Sequence, residues 1–142
     1  MQTFMENKYA TSELASPLRR LAARWLDRLV AVLGAFTIGG VLWGFSVATA
    51  ILLALCWVFG YLFLKDALTL FDGKSIGKKA MGIRVVDRNT RQPITGNYGK
   101  SIMRELPQWV PLLNIIDAFI IFDNKHRIGD RMADTSVIYD QD

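Results

Sequence analysis

The sequence predicts a mainly α-helical membrane protein: a two-helix transmembrane hairpin, a further apolar helical segment and a small cytoplasmic β-hairpin. Three observations carry this. No charged residue occurs from Leu29 to Leu64, a run of 36 positions. A second apolar block covers 106–122, in which Trp109–Phe122, fourteen residues, is too short for a comfortable span and therefore reads as re-entrant or interfacial. Between the blocks the chain is polar and basic, with nine of its seventeen Lys and Arg between Lys65 and Arg104. With 142 residues there is room for one domain, 16–142, behind a short tail. The net charge of +4 is also common among nucleic-acid binders. Here, however, the basic residues flank apolar blocks, so they read as topology signals and contacts to anionic lipid headgroups. The expected partners are the bilayer, its anionic headgroups and a second copy of the chain, with no nucleic acid and no cofactor.

Residues 1–15 are mixed polar, lack a basic start and an apolar h-region, and predict a poorly ordered tail without a cleavable signal. Ser16 suits an N-cap and Pro17 the first helical position, where its missing N–H is no loss. The first helix should run over about 17–43. One face of it reads Arg20, Arg24, Asp27, Ala31, Gly34, Ile38, charge giving way to small residues. A second pattern, Ala23, Asp27, Ala31, Ala35, Gly39, is a ladder of small residues suited to close helix–helix approach. After a turn at 43–46, the second helix covers 47–64, with small positions at Ala50, Ala54, Cys56 and Gly60; Cys56 reads as a packing residue. Thirty-six uncharged positions are short of two spans of about 20 residues plus a turn. The helices must therefore draw in their charged flanks, placing Asp27 inside the membrane boundary, held by Arg24, Arg20 or a polar group from elsewhere. An ordinary interfacial ion pair is the alternative.

In the cytoplasmic loop, 65–97, Gly73-Lys-Ser-Ile-Gly-Lys-Lys suggests a phosphate-binding loop but has three residues between the glycines, where that motif needs four. Gly82–Asp87 is β-branched, Arg88–Arg91 turn-like, and Gln92–Thr95 a short return strand. A helical segment, 98–123, is broken near Pro107 and Pro111. In the C-terminal segment, 124–142, Lys125, Arg127 and Arg131 belong in the cytoplasm by the positive-inside rule, which keeps both termini on one side. Thr135–Tyr139 should cover the edge of the β-hairpin as a third strand. The lone His126 reads as a polar residue at headgroup level, since no second His or Cys accompanies it as a metal ligand.

Three stretches carry a resemblance to a known family: Arg20–Asp27 (RLAARWLD), Gly73–Val86 (GKSIGKKAMGIRVV) and Ile128–Val137 (IGDRMADTSV). In these the sequence resembles the RDD family of bacterial membrane proteins, named for one arginine and two aspartates. The resemblance makes Arg20 the arginine, Asp27 the first aspartate and Asp130 the second, with Asp117 the other candidate. Ile128-Gly129 stands where many members carry Leu-His, so no role for that histidine transfers. The resemblance implies a multi-pass protein of the bacterial inner membrane with a cytoplasmic N-terminus, and sodium/proton antiport has been ascribed to a member.

Two function classes follow. In one, the chain exchanges cations for protons, with Asp27 as the exchanging carboxylate, Arg20 and Arg24 tuning it, and Asp130 and Asp117 as further candidate sites. In the other, it is a non-transporting scaffold or partner-recruiting module whose Arg–Asp pairs serve assembly. No nucleophile–base pair or metal cluster points to an enzyme.

Overall fold

The computed structural model describes residues 13–44, 46–68, 73–124 and 126–140. Residues 1–12 of the expected tail, Phe45 of the turn and Lys125 lie outside the described residues. The chain is mainly helical. Helix α1 covers Pro17–Leu42 and α2 Val47–Leu64; both are long and apolar enough to cross a membrane. Ser16 caps α1, accepting from Arg19 N–H at 3.4 Å, and Ser46 caps α2. Two further elements follow, a short helix α3 (Ile76–Met81) and strand β1 (Ile83–Asp87). Next come α4 (Tyr98–Glu105), a 3-10 turn (Leu106–Trp109), α5 (Pro111–Asn124), α6 (Ile128–Met132) and strand β2 (Thr135–Tyr139). Pro107 lies in the 3-10 turn and Pro111 opens α5, so the apolar segment breaks where its prolines remove backbone donors.

The sheet differs from the expected hairpin. Its two strands are β1 and β2, antiparallel, with Val85 opposite Val137. The return at 92–95 contributes only the bridge Val86–Pro93, because Pro93 has no N–H for a ladder and Arg91 takes a left-handed φ of 57°. On the other side of β2, Ala15 N–H donates to Val137 O at 3.0 Å and Tyr139 N–H to Glu13 O at 3.1 Å. Residues 13–15 are therefore not a loose tail but a third partner for the sheet, and Ala15 is buried. Ala15, Ala23, Ile83, Val85, Ile94 and Val137 form the main apolar core.

The basic loop also holds a helix that periodicity did not reveal. Helix α3 has only six residues, too few to show a pattern; Ser75 caps it, and Gly82 closes it with a φ of 61°. It lies against α1 because Gly77 lets the backbones meet: a Cβ at Gly77 would overlap the Ala23 carbonyl. Helices α1 and α2 meet at Trp57, whose indole N–H donates to Ala31 O at 3.1 Å over Gly34. Ala31 is buried, but Ala35 and Gly39 line an open groove instead of a helix contact. Within the chain the small ladder thus ends at Ala31, where the bulky indole takes the approach. Cys56 is exposed and is not buried against another helix among the described residues.

Candidate functional site

At the end of the hairpin that carries the charges, polar and ionised side chains are buried together. Asp27, only 1% exposed, is the node on α1. It accepts from Ser75 Oγ at 2.7 Å, from the Gly77 backbone N–H at 2.8 Å and from Tyr61 Oη at 3.2 Å, with Lys65 Nζ at 3.9 Å. Asp27 is therefore held by a polar group from elsewhere and not by Arg24 or Arg20. The reason is geometric. Gly77 brings the first turn of α3 onto α1 directly over the carboxylate, and the donors there are free to point at it.

The two arginines go elsewhere. Arg24 Nη2 donates to Asp117 on α5 at 3.3 Å, and Asp117 also accepts from Ile128 N–H at 2.8 Å, which opens α6. Arg20 Nη2 donates to Val137 O in β2 at 3.3 Å. So α1 reaches α3 through Asp27, α5 through Arg24 and the sheet through Arg20.

A second cluster surrounds Arg104 of α4, which is fully buried. Its Nε donates to Asp130 at 2.9 Å and its Nη1 to Asp66, just after α2, at 2.7 Å. Lys78 of α3 closes on Asp66 from the other side, and Arg127 Nε reaches Asp130 at 3.4 Å. Gly129 permits this: a Cβ there would overlap the Arg104 carbonyl. Lys65 pairs with Glu105 at 3.2 Å and so joins the two clusters. Burial alone would raise the pKa of Asp66, yet Lys78, Arg104 and Lys65 outweigh it and hold that carboxyl well below the usual range. Asp130 is held low in the same way, burial being outweighed by Arg104 and Arg127. Glu105 is also lowered, against burial, chiefly by Lys65.

The arginine and aspartates that the resemblance singles out, Arg20, Asp27 and Asp130, thus lie in connected polar clusters, linked through Lys65–Glu105 and Asp66–Arg104. A family model for the RDD family matches residues 14–134. The chain belongs to the RDD family. No curated protein and no solved structure gives a match. Membership and the two apolar helices together point to a membrane protein.

All five predicted site residues fall within these clusters. Asp27 is held by Ser75, Gly77 and Tyr61, Arg24 pairs with Asp117 at the start of α6, Arg20 reaches the sheet, and Asp130 lies within α6 against Arg104. Lys78, Arg104, Glu105, Arg127, Ser75 and Tyr61 were not foreseen as site residues. One signal was available: Lys65-Asp66 and Arg104-Glu105 each place opposite charges directly at the end of an apolar or amphipathic helix. His126 is half-buried, and burial and Arg88 push its imidazole below the ordinary value; its Nδ1 has no hydrogen-bond partner among the described residues.

Proposed function

We propose that this RDD protein is a membrane-embedded scaffold: a two-helix anchor that carries a rigid, charge-latched cap for assembly with partners or with a second copy. The observation that supports this is the saturation of its carboxylates. Asp27 accepts from three fixed donors beside Lys65, Asp117 from Arg24 and a backbone N–H, and Asp66 and Asp130 share Arg104. A carboxylate that exchanges a proton for a cation must release its protein partners in turn. These carboxylates instead join helix to helix, and the pKa values of Asp66 and Asp130 are held well below the usual carboxylate range, so neither takes up a proton near neutral pH. Cation/proton exchange, by a single copy, would require the cap to come apart.

The same reading puts the cap in the cytoplasm at the inner membrane, with both termini on that side and only α1 and α2 spanning. The basic residues of 65–105 and Arg19, Arg20, Arg24 and Arg28 support that orientation. The 14 residues of α5 rise about 21 Å, short of a hydrocarbon core of about 30 Å.

Proteoliposomes containing the pure protein test the function. No sodium- or potassium-driven proton movement is expected. Exchange that is present and disappears in Asp27→Asn would overturn the scaffold reading. A reporter fused after Asp142 that works only in the periplasm would overturn the topology.

A further inference from the structure

Between α1, α2 and the 3-10 turn lies a cavity of about 270 Å³ with an unusual division of its walls. Its base is polar: Arg24, Arg28, Lys65, Glu105 and Gln108, three cations against one carboxylate. Two of those cations are already committed, Arg24 to Asp117 and Lys65 to Glu105. Arg28 has no carboxylate within ion-pair distance among the described residues; its guanidinium lies 5.8 Å from the Trp25 ring centroid. The Nε of Arg24, on a side chain more than nine-tenths buried, has no hydrogen-bond partner among the described residues. The walls above this base are apolar. Val32 and Val58 line both this cavity and a second one of about 590 Å³, which continues along α1 past Phe36 to Trp43.

We propose that this groove binds an anionic phospholipid of the leaflet that meets the cap. Its phosphate sits at Arg28 beside Arg24 and Gln108, and an acyl chain lies along Val32, Val58 and Phe36. The charge of the base calls for an anion, and the position of Arg28 at the start of the uncharged run sets it at headgroup depth. From Arg28, one leaflet of about 15 Å corresponds to about ten residues of helix, which reaches the level of Ile38. The groove's apolar length therefore matches a lipid tail, which a free phosphate ion would leave empty. A helix from a second copy would fill the apolar part but would leave the Arg28 guanidinium without a counter-charge. Arg28 is the specificity-determining residue, because among the three cations of the base it has no carboxylate partner among the described residues. The inference does not depend on the scaffold reading, since an exchanger could carry the same lipid.

Native mass spectrometry of the full chain, titrated in detergent with phosphatidylglycerol or phosphatidylcholine, tests it. Phosphatidylglycerol is expected to be retained preferentially, and Arg28→Gln to weaken that retention about fivefold, the effect of one basic residue at a membrane surface. Lys79→Gln removes the same charge from an exposed position outside the cavity and should leave retention unchanged. Val58→Trp keeps every charge and should reduce retention by filling the tail path. Equal loss in Arg28→Gln and Lys79→Gln would overturn the site in favour of diffuse surface attraction. Displacement of the lipid by millimolar inorganic phosphate would assign the base to a free anion instead. Dimers that retain no phosphatidylglycerol would assign the groove to a second copy.

Discussion

Helix α1 is one continuous helix with two different environments. From Arg20 to Ala31 its inner face is buried by carboxylates, carbonyls and a backbone N–H from α3, α5 and β2. From Val32 onward, Val32, Leu33, Phe36 and Val41 are all exposed, and Trp57 on Gly34 supplies the one close approach described above. In water this arrangement would be upside down, with charges buried and aliphatics outside. In lipid it is what the solvent dictates. Apolar side chains gain little by leaving hydrocarbon for each other, so the upper helices pack loosely, while polar groups at the boundary have no good alternative to pairing. The lower half therefore fixes the fold and the upper half only anchors it.

Breaking the lower half should cost most. Arg104→Ala would remove the buried cation that Asp66 and Asp130 share, leaving each with one cation in place of two, and is expected to destabilise by about 3–5 kcal/mol, read as a fall in the melting temperature in detergent. Arg104→Lys should recover only part of that, since an ammonium cannot serve both carboxylates in the same fork. A melting temperature unchanged in Arg104→Ala would mean that the paired charges do not hold the cap.

Acid should act on the same cluster more gently. Asp66 and Asp130 have lowered native pKa values, so the stability they contribute is fully present above the unfolded carboxylate value of about 4 and is lost as pH falls below it toward the native values. Melting temperature should be flat near neutral pH and decline below about 4. A decline that starts near pH 6 would point to another group.

Glycine contacts separate the halves more finely. Gly77→Val would drive a branched side chain into the Ala23 carbonyl and should cost about 1–3 kcal/mol. Gly39→Ala, whose Cβ meets nothing within 4 Å, should be close to neutral in the same assay. The smallest effect is expected for Ala35→Leu, within about 0.5 kcal/mol, because its side chain enters an open groove. A large loss there would mean that the upper half is packed after all, against something the single chain does not contain.

Much of the fold was readable from residue order alone. The uncharged run from Leu29 to Leu64 marked both long helices, Ser16-Pro17 marked the start of α1, and β-branching marked both strands. The charged face of α1 was readable as a face, but its partners were not. Asp27 pairs with residues 34 to 50 positions away, and nothing in local spacing says that Ser75 and not Arg24 will reach it. The Gly73–Lys79 stretch was dismissed as a phosphate loop on spacing, and its actual use is similar in kind: backbone and hydroxyl donors at a helix start, turned on a carboxylate of the chain itself. The small ladder marks side-chain size on α1 but not the indole that α2 brings, so within the chain the close contact ends at Ala31 and Gly34.

The edge of the sheet has a consequence for synthesis. Glu13–Ala15 emerge from the ribosome well before β2, with which they pair, and Asp27 enters the bilayer before Ser75 and Gly77 have been made. Contacts of such long sequence separation form late. Asp27 must therefore wait for its donors until residue 77 has been made, and Glu13–Ala15 must wait for β2 until translation is nearly finished. A nascent chain arrested before residue 75 would expose that acid and one arrested before residue 135 the open flank of β1, which makes these intervals the stages at which a quality-control protease could recognise unfinished molecules.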